Sequence, residues 1–133
     1  MTTPVSFEIA KLLKEKGFDI PVAHNYGKKG ELGHIIDLAL DLEMVHNKRA
    51  DNFNQYVGTY RQVSAPTIAE VVMWLYEKHG IWIASKKVNG LNKWFAQIYK
   101  NNSNDLCDTD IVTISPAEAY TAAIEYTLTK LIK

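Results

Sequence analysis

The chain has 133 residues, 47% of them hydrophobic and 23% charged, with 15 basic and 15 acidic side chains and a formal net charge of zero. That length suits one domain over residues 1–133 with a core large enough to need no disulfide or metal staple, and the composition excludes wholesale disorder. Zero net charge excludes an overall electrostatic grip on nucleic acid or anionic lipid, and the one cysteine, Cys107, excludes an internal disulfide and suits a reducing compartment.

The first residues, Met1 to Ser6, lack the charged and apolar regions of a signal peptide. The longest apolar run, Val71 to Tyr76, is far short of the roughly 20 residues that span a bilayer. A cytoplasmic protein with no membrane partner is therefore expected.

Ser6 predicts the cap of a first helix, with Val5 outside it and Ala10 at the fourth helical position as a hydrophobic staple. Phe7, Ile9, Ala10, Leu12 and Leu13 form the apolar stripe. Gly17 supplies a left-handed residue after the helix, and Phe18 folds back on Leu13. Between His34 and Val45, apolar Ile36, Leu38, Leu40, Leu42 and Met44 alternate with Asp37, Ala39, Asp41 and Glu43, the period of a strand with one wet face. The residue types favour a helix instead. A helix would bring Glu43 into its apolar arc, so the strand is preferred, with Val22 to Tyr26 pairing across Gly27-Lys28-Lys29-Gly30. Asn47 to Gln62, rich in Asn, Asp and Gln, reads as a loop.

From Ser64 the signals strengthen. Thr67-Ile68-Ala69-Glu70 after Pro66 is a capping box, and Ile68, Val71, Val72 and Leu75 make a buried helical stripe. Gly80 ends that helix, and Ile81 to Ala84 begin a strand. Asn89-Gly90 is a turn pair before a returning strand from Trp94 to Tyr99. Asn101 to Asp110 reads as a polar loop and Ile111 to Ile114 as an extended lead-in. Ser115-Pro116-Ala117-Glu118 is a second capping box, and Tyr120, Ala123, Ile124, Thr127, Leu128 and Leu131 form the inner face of the helix it opens. The expected fold class is α+β, a small antiparallel sheet of three to five strands packed on one face by three helices.

The opening Val5-Ser6-Phe7-Glu8-Ile9-Ala10-Lys11-Leu12-Leu13-Lys14-Glu15-Lys16-Gly17-Phe18 resembles that of small uncharacterised proteins common in phages and mobile elements of gut Bacteroidetes. So do Ala65-Pro66-Thr67 leading into Trp74-Leu75, the junction Gly80-Ile81-Trp82-Ile83, and Ser115-Pro116-x-Glu118-Ala119-Tyr120-x-Ala122-Ala123. The likeness covers about two-thirds of the chain and leaves residues 20–60 unmatched. These residues are caps and core positions, so the resemblance implies a fold and an origin, and no activity.

Few residues suggest chemistry. Cys107 is flanked by Asp105, Asp108 and Asp110, which disfavour a thiolate. Asn102, Asn104, Asp105, Asp108 and Asp110 offer oxygen ligands without the order of an EF-hand loop. His24, His34, His46 and His79 are scattered without metal-ligand spacing, and Asp37, Asp41 and Glu43 are explained by a wet strand face. Gly27-Lys28-Lys29-Gly30 lacks the phosphate-loop pattern. No catalytic residue, metal or cofactor is assigned.

The hairpin 81–100 is the better candidate. Lys86, Lys87, Lys93 and Lys100 accompany Trp82, Trp94, Phe95 and Tyr99, and a basic sheet with exposed aromatics can stack bases and neutralise phosphates. Lys86, Lys87, Lys93, Trp82 and Trp94 are the candidate nucleic-acid contacts. Trp74 and Tyr76 lie off the main stripe of their helix and are the candidate interaction surface. The expected function is a small non-enzymatic binding or interaction protein, a phage or mobile-element accessory factor, with a protein partner or a second copy of itself. A nucleic-acid-binding regulator is the alternative, and a small hydrolase or ligand-sequestering protein the third reading.

Overall fold

A computed structural model describes residues 3–27, 43–55, 63–100, 105–108 and 112–132. The fold is α+β, and the contacts divide into two compact units, Pro4–Pro66 and Thr67–Lys133 together with Met1–Thr3. Among the described residues each unit holds one antiparallel sheet of three strands, so the strands expected in one sheet are shared between two.

In the first unit Ser6 caps helix α1 (Phe7–Glu15), its hydroxyl accepting from the Ile9 N–H. At the other end Gly17 has φ +86°, its N–H donates to the Lys14 carbonyl at 3.2 Å and that of Phe18 to the Leu13 carbonyl at 3.0 Å. That pair of bonds is a Schellman cap, and it satisfies carbonyls the helix leaves open. Ile9, Ala10, Leu13 and Phe18 are all buried.

Strand β1 (Val22–Gly27) is the centre of this unit's sheet, between β2 (Glu43–Asp51) and β3 (Val63–Ser64). Strand β1 pairs with β2, with Tyr26 opposite Met44 and Asn25 opposite Val45, so the expected partner strand is met only at residues 43–45, and the tight turn expected at Gly27 to Gly30 is corrected because Gly27 faces Glu43. The rest of the preferred strand, residues 34–42, lies outside those described. The loop expected from Asn47 to Gln62 is corrected in part. Strand β2 runs on through Asp51, and Phe53–Gln55 form a short 3-10 turn.

Polar composition misled there, because polar side chains build this part. Asn54 donates through Nδ2 to the Phe18 carbonyl at 2.9 Å and accepts at Oδ1 from the Ser64 N–H at 2.8 Å. The Ser64 hydroxyl accepts from the Phe53 N–H at 3.0 Å. Tyr26 donates its hydroxyl proton to the Val5 carbonyl at 2.7 Å, and its ring meets Phe7 edge-on. Burial and the Glu8 carboxylate hold the Tyr26 phenol above its usual 10.0, and burial lowers the Lys14 ammonium below 10.5.

The second unit follows the sequence more closely. Thr67 and Glu70 close the capping box of α2 (Ile68–His79), with the Thr67 N–H donating to Glu70 at 2.8 Å and the Glu70 N–H to Thr67 at 3.3 Å. Gly80, at φ +66°, stops the helix in a conformation that costs a side-chain-bearing residue energy. Strand β4 (Ile81–Lys87) starts at once and pairs with β5 (Trp94–Lys100) in one unbroken register from Ile81–Lys100 to Lys87–Trp94. Asn89-Gly90 occupy the turn closed by the Leu91 N–H on the Val88 carbonyl at 3.2 Å.

The polar loop expected from Asn101 to Asp110 contains a third strand, β6 (Asp105–Asp108), which pairs with the otherwise open edge of β5. Lys100 stands opposite Asp105 in that register. Helix α3 (Pro116–Tyr126) has the Ser115 cap, but Glu118 reaches back to the Ile114 N–H at 3.2 Å rather than closing the expected box on Ser115 itself. Its last turn loosens into a π turn over Thr127–Leu131, closed by the Ile132 N–H on the Thr127 carbonyl at 3.0 Å.

Candidate functional site

The site is built by strand alternation in β4 and β5. Ile81, Ile83, Ala96 and Ile98 are buried, and both α2 and α3 pack on these strands. The intervening positions face the other way. They pair as Trp82 with Tyr99, Ala84 with Gln97 and Lys86 with Phe95. The Tyr99 hydroxyl donates to Gln97 Oε1 at 3.0 Å, two residues along the same face.

Trp82 stays 41% exposed within a regular strand, and Tyr76 from the last turns of α2 is 50% exposed. Their rings meet edge-on at 5.5 Å and 82°, a geometry that suits the aromatic quadrupoles. Met73, one helical turn before Tyr76, is 46% exposed and lengthens the apolar strip. Sequence reasoning passed over Met73, although its place on the helical wheel, away from Ile68, Val72 and Leu75, was a usable signal.

The charge around this face is segregated although the chain as a whole is neutral. Residues 78–104 contain Lys78, Lys86, Lys87, Lys93 and Lys100 and no aspartate or glutamate. Lys86, Lys87 and Lys93 are exposed at the turn end of the hairpin. The acidic register positions Asp105 and Asp108 belong to β6, on the opposite edge of the sheet from β4.

Two candidate residues lie elsewhere. Trp74 is only 2% exposed, which corrects its place on an interaction surface. Helix α2 buries a wider arc than its four-residue stripe, taking in Ile68, Val71, Val72, Trp74 and Leu75, and the Trp74 ring stands edge-on to His79 at 4.9 Å. Trp94 shares the parity of Ala96 and Ile98 and is half-buried, bonded in both directions to the Thr113 backbone at 2.8 Å. Trp82 and Trp94 therefore belong to opposite faces of the hairpin.

The remaining titratable candidates are dispersed. Cys107 is in β6 opposite Ile98, not in a loop. His24 and His46 are facing partners in the β1–β2 register, a juxtaposition their spacing does not reveal. His79 sits in the last turn of α2. His34, Asp37, Asp41, Asn102, Asn104 and Asp110 lie outside the described residues. Among the described residues no three His, Cys, Asp or Glu side chains converge as metal ligands, and no helix is long and apolar enough to cross a membrane.

No protein-family model, curated protein or solved structure matches the chain.

Proposed function

We propose that the chain is a small non-enzymatic binding protein that presents the outer face of β4 and β5, with Tyr76 at its margin, to a partner. The observation that carries this reading is Trp82, 41% exposed in a regular strand and edge-on to an exposed Tyr76. A large aromatic surface left in water is stabilised when a partner covers it, and Trp and Tyr are the side chains that most often dominate binding energy. The resemblance to phage and mobile-element proteins supports an accessory role in such an element.

A photoreactive amino acid at Gln97, on this face, tests the reading against the same group at exposed Glu125 on α3. Adducts in cells at Gln97 and not at Glu125 are expected, and equal yields at the two positions overturn the proposal. Self-association is the second reading, favoured by the strip of Met73, Tyr76 and Trp82. Light scattering that gives a monomer at high protein concentration removes it.

A further inference from the structure

We infer that the partner of this face is a single-stranded nucleic acid, its bases stacked on Trp82 and Tyr99 and its phosphates held by Lys86 and Lys93. The inference rests on the reading of the face as a binding surface and adds the chemistry of what binds.

Three features converge on it. The first is shape. Trp82 and Tyr99 are cross-strand neighbours on the outer face of a sheet, which is a stacking platform, and stacking tolerates any base because every base has a π-face. The second is charge. The 27 residues from Lys78 to Asn104 hold five lysines and no carboxylate side chain, so the hairpin is basic in a chain that is neutral overall. A protein partner would need only the apolar strip, whereas a polyanion uses both the strip and the lysines. The third is spacing. Lys86 follows Trp82 by four residues along β4, about 13 Å at strand rise, on the same face by alternation, with Lys93 at the turn end, while Lys87, opposite Trp94, belongs to the other face. A strand stacked at Trp82 and running toward the turn keeps its backbone along the β4 edge, away from the acidic register positions of β6. Duplexes lack free base faces, so the preference is for single strands.

The test is fluorescence anisotropy of labelled oligo-dT and oligo-U, about 12 nucleotides long, with the full-length chain at low salt. Binding of one or both is expected, and which one binds assigns DNA, RNA or either. With two lysines on phosphates, the logarithm of affinity should fall against that of salt with a slope of roughly −1.4. Trp82→Ala should weaken binding by about five- to a hundred-fold, and Trp82→Phe, which keeps a ring, by less. Lys86→Glu with Lys93→Glu should weaken it at least about tenfold and flatten the salt slope. Circular dichroism of each variant separates lost binding from lost fold.

The inference is overturned if neither oligonucleotide binds at low salt, if a duplex of the same length binds as tightly, or if folded Trp82→Ala and the double lysine variant bind like the parent. Photo-adducts at Gln97 that resist nuclease and contain protein overturn it while leaving the binding face intact. Adduct yields no higher at Gln97 than at Glu125 overturn both.

Discussion

The two units of this chain are held together by different physics. In Thr67–Lys133 the helices begin at side-chain caps, the apolar residues keep strict helical or strand period, and each strand pairs with the next in the sequence. In Pro4–Pro66 a comparable number of strands is arranged around a short segment, Asn52 to Gln55, whose polar groups tie backbone positions far apart in the chain. The first kind of order is written in period and cap. The second is written in which amide reaches which carbonyl, and only the folded chain shows that.

The largest effect expected is in the apolar core of Thr67–Lys133. Ile98, fully buried at the centre of β5, loses both its transfer energy and its packing when truncated. Ile98→Ala should therefore cost about 2–5 kcal/mol in urea unfolding. A cost below about 1 kcal/mol would show that this sheet does not anchor the core of its unit.

In Pro4–Pro66 the corresponding element is Asn54. Asn54→Ala removes one donor and one acceptor together, leaving the Phe18 carbonyl and the Ser64 N–H without that partner. A loss of about 2–3 kcal/mol is expected, comparable to a core truncation although the side chain is polar and only half-buried. If denaturant midpoints shift by no more than for a surface asparagine, the polar clamp is decorative and the contrast between the units fails.

Thr67→Ala breaks one half of the α2 capping box and should cost about 1 kcal/mol, less than Asn54→Ala because one hydrogen bond is lost rather than two. Thr67→Ser, which keeps the hydroxyl, should recover most of it.

The smallest effect is a pH dependence in Pro4–Pro66. The Tyr26 phenol is held above 10.0 by burial and by Glu8, so the folded chain keeps this proton where the unfolded chain has lost it. The associated stability is complete below the unfolded value and is lost as pH rises through the folded one. Lys14, lowered from 10.5 by burial, acts in the opposite sense, with stability rising as it deprotonates. Comparing the parent with Tyr26→Phe isolates the tyrosine. From about pH 9 to about pH 11 the parent should lose more stability than the variant. Equal slopes would mean that the phenol is not differentially held.

Much of Thr67–Lys133 is legible in the amino-acid sequence, because its elements obey local rules. Thr67-x-x-Glu70 satisfies its own helix end, Gly80 meets a left-handed requirement, and alternation from Ile81 to Ala84 sorts one face from the other. Strand β6 is not legible in this way. Asp105-Leu106-Cys107-Asp108 has loop composition, and it becomes a strand because β5 presents an unfilled row of backbone donors and acceptors. The candidate site divides in the same way. The exposure of Tyr76 follows from the helical wheel, whereas the burial of Trp74 depends on how wide an arc the neighbouring elements cover. Trp82 and Trp94 look equivalent until the hairpin register sets them on opposite faces.

The strand connectivity also bears on how quickly each half of the molecule takes shape. Every strand pairing in Thr67–Lys133 is between successive strands, closed by a six-residue loop at 88–93 and by the short link before β6. In Pro4–Pro66, Asn25 must find Ser64, which lies 39 positions along the chain. Closing the longer loop costs more entropy before any contact rewards it. Amides of Ile81 to Lys100 are accordingly expected to gain protection first in pulse-labelled hydrogen exchange during refolding, ahead of those at Asn25 and Ser64. The reverse order would mean that the Asn54 clamp forms early and guides the chain.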